Sequence, residues 1–420
     1  GINLTGGFPG IEIYGNEIYH SAVVTQPSTS EFAAIYFSTS ASAGAKIYNN
    51  YIHDIQLTNG TTSAMGLYLF NGNTSGAPIE IFNNRIQIGN GIAPTTFPIY
   101  GIRDNAVSGA LFNIYFNSVL IDGIASAGTS NSAAFIKGVS NFINLKNNIF
   151  YNARSNSAGT GTHWGISINN TTFASINNND YFADGTGGVL GTTTGLVAGN
   201  QTTLAGWKGV VTADGSSVSQ IPNYVAGLKI NTSIATQLES GGATGTGVAT
   251  DFEGETRLSP PDIGADEFLG TGLDITPPSM AYTLLSNTSY LANRQLTVAI
   301  TDLSNIATSP NGPALYYKKK NDVSFIVNNT PTVVGSNYTF TINSANLGGV
   351  VAGDTIQYYV AAMDLIGNSG TSPAGGGGTP PGSTPPVTFN SYAIVTALAL
   401  PYSQDFNAGT TLPTGWGGNM

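Results

Sequence analysis

The 420-residue sequence contains no cysteine. Disulfides, thiol nucleophiles and thiolate metal sites are therefore excluded, whereas export is not, because many exported bacterial proteins also lack cysteine. Charge is scarce: 9% of residues are Asp, Glu, Lys or Arg and the net charge is −10, against about a quarter charged in ordinary globular chains. The 13 basic residues are scattered apart from Lys318-Lys319-Lys320. There is thus no basic stripe for nucleic acid and no polybasic contact for a membrane. The lysine triplet closes a predicted strand and reads as a solvated edge that blocks unwanted pairing. No apolar run reaches the roughly 18 residues of a spanning helix, and no stretch has the period of an amphipathic helix. P-loop, G-x-S-x-G, H-E-x-x-H and EF-hand patterns are all missing. No signal peptide opens at Gly1. The chain begins inside a repeat and ends at Trp416-Gly-Gly-Asn-Met420, so it reads as a fragment of a longer protein.

What is present is a phrase that recurs. An apolar segment running into Asn-x-apolar occurs at Ile11–Ile18, Ile47–Ile52, Ile79–Ile86, Ile114–Val119, Ile143–Ile149 and Ile176–Tyr181. Its asparagines, Asn16, Asn50, Asn84, Asn117, Asn147 and Asn179, are spaced 34, 34, 33, 30 and 32 residues apart. Between them lies a second apolar echo: Ala34-Ile-Tyr-Phe37, Gly66-Leu-Tyr-Leu69, Gly101-Ile102, Ala134-Phe-Ile136 and Gly165-Ile-Ser-Ile168. Segments of strand length, separated by Ser, Thr, Gly and Asn, give strands and turns. One such unit cannot bury its own apolar face, but stacked units cover one another. The periodicity therefore predicts an all-β fold with a right-handed parallel β-helix, its regular coils over residues 1–192 and a looser part over 193–269. The asparagines stack at one corner, where Asn tolerates a left-handed backbone and its amide can donate and accept along the axis.

The looser part contains Asp251-Phe-Glu-Gly-Glu-Thr-Arg257 and Pro260-Pro-Asp-Ile-Gly-Ala-Asp-Glu-Phe268, and seven of the 23 acidic residues fall between Glu239 and Glu267. Its residues read as a terminal cap over the last coil. The phrase resembles the close of the β-helical domain in large bacterial surface proteins of the pectate-lyase-like superfamily. With the asparagine ladder, that resemblance covers residues 1–268. Residues 270–278 read as a linker, its prolines demanding extended chain. Alternating segments over 279–395 predict a β-sandwich. Asp274-Ile-Thr-Pro-Pro278, Thr301–Ile306 and Asp364-Leu-Ile-Gly-Asn368 resemble the immunoglobulin-like or fibronectin-III-like modules of bacterial surface proteins. An insert at 370–386, rich in Gly and Pro, reads as a loop or flexible link. Residues 396–420 resemble the start of a jelly-roll module.

The sequence offers little for catalysis. Lyases and glycosidases need clustered carboxylates with a base or Ca²⁺. The coils carry only Glu12, Glu17, Glu31, Asp54, Glu80, Asp104, Asp122, Asp180 and Asp184. Glu12 and Glu80 fall at equivalent positions two coils apart, about 10 Å by strand spacing, with Lys46 placed to pair with both. His20 and His53, 33 residues apart, form a weak metal pair beside Asp54. His163-Trp164 reads as a partly buried pair. A structural Ca²⁺ is the cofactor the acids suit best, at Asp262, Asp266 and Glu267 or at Asp302 and Asp364, against the simpler reading of these residues as solvated or turn-capping acids. Tyr14, Tyr19, Tyr48, Tyr51 and Phe82 are a candidate sugar-stacking stripe.

These readings lead to an expected non-enzymatic stalk, adhesin or filament module of a secreted bacterial cell-surface protein. Its expected partners are other modules or further copies of the chain, and glycans. The resemblance also implies export by the type IX route. The alternatives are a polysaccharide lyase or glycosidase, and a glycan-binding module.

Overall fold

The computed structural model describes residues 1–7, 9–25, 30–39, 42–58, 61–92, 97–193 and 199–396. The chain divides into two compact units, Gly1–Leu273 and Asp274–Met420. All but the first residue of the expected jelly-roll segment lie outside the described residues.

The first unit is a parallel β-solenoid with three strands in each coil. The last complete coils show the plan: Ser132–Lys137 lies in the first sheet, Phe142–Lys146 in the second and Ile149–Asn152 in the third, followed by His163–Ile168 back in the first. The second and third sheets each have six strands, all parallel. Apolar positions align coil over coil. In the second sheet Ile13, Ile47, Ile81, Ile114, Leu145 and Ile176 form one file. Ile18, Ile52, Ile86, Val119, Phe150 and Tyr181 form its counterpart in the third. Together with the first sheet's inward residues they make one continuous core. Each coil supplies only part of that core, which is why a single repeat has no fold of its own.

The acidic segment does not cap the stack. The short helix Leu204–Val210 closes it, with Thr203 accepting from the Gly206 amide at its start. Its Trp207 is fully buried, packs 5.5 Å from the Tyr181 ring and sits over Gly191, where a Cβ would meet the indole at 2.8 Å. Residues 218–268 instead lie along the side of the stack, over the outer face of the third sheet. Ile149, which points outward there, is buried among Ile230, Leu238, Ile263 and Phe268. The expected linker belongs partly to this cover: the Thr236 amide donates to Thr271, and Leu273 donates back to Thr236.

The second unit consists of two antiparallel sheets. One runs Ser279–Ala281, Arg294–Thr301, Asn337–Ile342, Thr332–Val334. The other runs Ile326–Asn328, Ala314–Lys319, Thr355–Met363, Ser369–Ser372, with Asn390–Ala393 also on the long strand. Leu296, Val298 and Phe340 from one sheet and Leu315, Tyr317, Ile356 and Val360 from the other share a core. The strand carrying Lys318 and Lys319 is interior to its sheet and not an edge, and Lys319 pairs with Asp354 at 2.9 Å. The glycine-rich insert is not a free link either. It covers the outer face of the second sheet, where the Tyr316 and Tyr359 rings stack at 4.6 Å and their hydroxyls donate to the carbonyls of Pro381 and Gly382.

Candidate functional site

The most developed polar feature is the corner between the second and third sheets. At this corner Asn16 Nδ2 donates to Asn50 Oδ1, Asn50 to Asn84, Asn84 to Asn117, Asn117 to Asn148 and Asn148 to Asn179, each at 2.9 Å. The same Oδ1 atoms accept the backbone amide of the preceding member at 3.0–3.3 Å. The second hydrogen of each interior amide reaches carbonyls of its own coil and the one before, as Asn117 does with Tyr115 and Ile81. The file ends on a hydroxyl: Asn179 N–H donates to Ser217 Oγ at 2.8 Å, Ser217 bonds Asp214, and Asp214 accepts the Trp207 indole N–H at 2.7 Å. Burial raises the Asp214 carboxyl above its ordinary range.

One ladder member differs from expectation. Asn148, not Asn147, is in the file, and the spacings become 34, 34, 33, 31 and 31. The left-handed residue is also not the ladder asparagine but the one before it: Gly15, Asn49, Asn83, Phe116, Asn147 and Asn178 all have φ between 52° and 65°. These residues turn the corner and face the cover. Asn147 exchanges hydrogen bonds with Ala243 at 2.7 and 2.8 Å, Asn83 donates to Thr250 and Asn178 to Gly241. Phe116 is an unusual residue for this conformation, and the Arg257 guanidinium lies 3.7 Å from its ring centre.

The cover is pinned by buried ions. Arg85, 4% exposed at its side chain, pairs with Glu253 at 2.6 Å and Asp266 at 3.0 Å, and Lys229 reaches Glu253 at 3.0 Å. Arg257 pairs with Glu267 at 3.1 Å. The acids expected to hold Ca²⁺ here are already engaged. Asp262 accepts from the amides of Ser240 and Phe268, Asp266 from Arg85 and the Ile230 amide, and Glu267 from Arg257 and the amides of Leu258 and Asp262. Burial pushes Asp262 up to about 7 despite those amide donors. Asp266 does stand with Asp251 and Glu253, one oxygen from each within 4.8 Å of the others, but Arg85 and Lys229 already pair with that group, so the donor set serves as a folding anchor.

In the second unit the structure does bring Asp302 and Asp364 together, and adds Asp274, with one oxygen from each within 4.8 Å of the others. Asp274 accepts from the amide and hydroxyl of Thr276, which hold its carboxyl down at about 2. Asp302 is raised, first by burial and then by its acidic neighbours. Asp364 accepts from the amides of Ile366, Gly367 and Asn368. Among the described residues no lysine or arginine pairs with any of the three. Three hard oxygen donors without a counter-cation are chemically suited to Ca²⁺.

The coil acids are each engaged within the fold. Lys46 lies 3.9 Å from Glu12 and 3.8 Å from Glu80, as its place between them required; at about 40% exposure such pairs contribute little. His53 bridges Glu17 and Asp54 at 3.0 and 2.8 Å and stacks on Tyr51. His20 turns instead to the Gln56 backbone, so the two histidines share no ligand set. Glu31 meets Arg103, Asp122 meets Gln87, and Asp184 accepts from Tyr151. Asp104 and Asp180 are fully buried; Asn141 holds both oxygens of Asp104, whereas Asp180 accepts from the Gln220 amide through Oδ1 alone and its Oδ2 has no partner.

One arrangement has the outline of a nucleophile, base and orienter: Ser132 Oγ lies 2.9 Å from His163 Nδ1, and Asn156 Oδ1 lies 3.1 Å from Nε2. Its serine is 1% exposed and its histidine 0%, and burial drives the imidazole down to about 4. His163 is thus wholly buried and neutral. The aromatic stripe is real as a stack. Tyr14, Tyr48 and Phe82 lie face to face at 4.9 and 4.8 Å, so Tyr48 is stacked on both faces while Tyr14 stays 56% exposed.

Compared with known proteins, the chain matches no family model and no curated protein.

Proposed function

We propose that the chain is a non-enzymatic, load-bearing module of a long secreted bacterial cell-surface protein, acting as a stalk, adhesin or filament segment. The observation that carries this reading is the unbroken amide file with its continuous core. Neighbouring coils are joined at every step by main-chain ladders, side-chain amides and apolar contact, and such a stack resists bending and stepwise unwinding. The reading takes the solenoid as right-handed and pectate-lyase-like, and the second unit as an immunoglobulin-like spacer. Export by the type IX route belongs to the same proposal, as do partners of the same kind: other modules or copies of the chain. Against catalysis stands the pairing or hydrogen bonding of eight of the nine coil carboxylates and the complete burial of the ninth, Asp180. Against sugar stacking at the centre of the stripe stands the occupation of both Tyr48 ring faces by Tyr14 and Phe82.

The test is a turnover assay on acidic and neutral polysaccharides beside single-molecule stretching of the chain. Cleavage products would end the proposal. The expected result is no turnover and a solenoid that extends at higher force than the two-sheet unit.

A further inference from the structure

We propose that an open cavity at the edge of the cover takes the guanidinium of an arginine carried by another polypeptide. The cavity, about 390 Å³, is lined by Gly15, Asn16, Glu17, Asn49, Tyr51 and Phe252. It lies where the files that hold the cover run on past it. In the third sheet the outward file passes from Asp180 through Ile149, Ser118 and Arg85 to Tyr51 and Glu17. The cover engages the first four: Asp180 accepts the Gln220 amide, Ile149 is packed over, Ser118 accepts the Ala265 amide and Arg85 pairs with Glu253 and Asp266. Tyr51 and Glu17 come next. The corner file behaves alike. Asn178, Asn147 and Asn83 bond to the cover, whereas Asn49, the next in line, keeps its Oδ1 buried with no donor among the described residues.

The groups around the cavity are of one kind. None of its lining residues is basic. Glu17 gives one oxygen to His53, and its side chain is still 62% exposed. Tyr51 and Phe252 are half-buried aromatic rings. The surroundings carry more acid than base, with Glu17, Asp54, Glu253 and Asp266 against Arg85 and Lys229. A carboxylate, an unserved carboxamide oxygen and aromatic rings together select a planar cation that donates in several directions.

Beneath the cover the same set already holds an arginine. Arg257 lies over the Phe116 ring at 3.7 Å, donates to Asn83 Oδ1 at 2.9 Å and pairs with Glu267 at 3.1 Å. Arg85 repeats two of these contacts, over the Phe252 ring at 4.3 Å and with Glu253. In the cavity Asn49 takes the place of Asn83 one coil away, Tyr51 and Phe252 supply the rings and Glu17 the acid. Asn83 also donates to the Thr250 main chain, so a corner asparagine can hold a peptide and an arginine at once. The arginine does not come from a second copy, because every arginine of the chain is engaged in its own fold. Besides Arg85 and Arg257, Arg103 pairs with Glu31, Arg154 donates to the carbonyls of Gly89 and Asp122, and Arg294 donates to Ser286 and lies over Tyr392. The cavity is open to such a partner whether or not the stack bears load.

Titration of the intact chain with a capped Gly-Gly-Arg-Gly-Gly peptide tests the site, read by calorimetry and by the amide NMR signals of residues 15–17, 49–51 and 252. The same peptide with citrulline keeps the shape and loses the charge, and guanidinium chloride supplies the cation without a peptide. The expected result is saturable binding of the arginine peptide at millimolar concentration, with shifts centred on those residues. The citrulline peptide should bind about tenfold more weakly, and guanidinium more weakly than the arginine peptide. Glu17→Gln and Asn49→Gly should each weaken binding severalfold. Asn49 has φ 52°, which glycine adopts freely, so the second variant keeps the corner. Equal binding of the two peptides, unchanged affinity in both variants or no saturation would overturn the proposal. Guanidinium binding as tightly as the peptide would overturn a polypeptide as its source.

Discussion

The coils and their cover, both parts of the first unit, are held together in opposite ways. The coils repeat one small set of contacts, so each Asn–Asn step and each apolar file member has equivalents above and below. The cover over residues 218–268 has no repeat. It relies on a few unlike anchors: Arg85 with Glu253 and Asp266, Arg257 with Glu267 and Phe116, and Ile149 among four apolar residues. Repetition spreads a loss over many equivalent contacts, whereas singular anchors concentrate it.

The largest expected effect follows from that concentration. Arg85→Ala leaves Glu253 and Asp266 without their buried partner and should cost about 3–5 kcal/mol. Hydrogen exchange should show residues 220–268 losing protection while the strands of the second sheet keep theirs; equal loss in both would erase the distinction.

The ladder itself comes next. Asn117→Ala removes a donor and an acceptor inside the file: the main-chain and side-chain amides of Asn84 lose their shared acceptor and Asn148 Oδ1 keeps only the residue-117 main-chain amide, for about 2–4 kcal/mol. Asn147→Ala loses its exchange with Ala243 and should cost about 1 kcal/mol, felt in the cover. Urea melts of the two variants, compared side by side, separate a file member from its neighbour.

A smaller effect sets the two units against each other through pH. Asp262 keeps its proton in the fold up to about 7, whereas an ordinary aspartate loses it near 3.8. Its contribution is full below 3.8 and is lost as the pH rises to about 7. Asp104 acts in the same sense up to about 6, and His163, lowered to about 4, acts against them below 6.5. Asp274, held at about 2, contributes above 3.8 and loses that contribution as the pH falls toward 2. Segment-resolved exchange between about pH 4 and 7 should therefore show the cover loosening with rising pH in the natural chain and staying level in Asp262→Asn.

The smallest expected shift is a rise in the melting temperature of the second unit with millimolar Ca²⁺, reversed by chelator and absent in Asp302→Asn. No shift would return Asp274, Asp302 and Asp364 to turn-capping alone.

How much of this was legible in the sequence depended on repetition. The files through Ile47, Ile81 and Ile114 and five of the six ladder asparagines were readable because each has counterparts about one period away. The misplaced member shows the limit. Asn-x-apolar also fits Asn148-Ile-Phe150, but Ile149 is apolar because the cover buries it, and that made Asn147 look like the ladder residue. The cover's role was illegible for the same reason. Acids at 266 and 267 look exposed until Arg85, 181 positions before Asp266, and Arg257, 10 positions before Glu267, are known to face them, and Asp262 until the amides of Ser240 and Phe268 are. Trp207 as the plug of the stack, and the insert at 370–386 as a lid on Tyr316 and Tyr359, were likewise hidden, since nothing local marks a covering segment.

The amide file has a further consequence. Every carboxamide from Asn16 to Asn148 passes its proton the same way, so the file is a vector and gives the solenoid a head and a tail. Turning one amide over would set nitrogen against nitrogen on one side and oxygen against oxygen on the other. The orientation is thus kept by all members or by none, and aligned dipoles strengthen one another along the row.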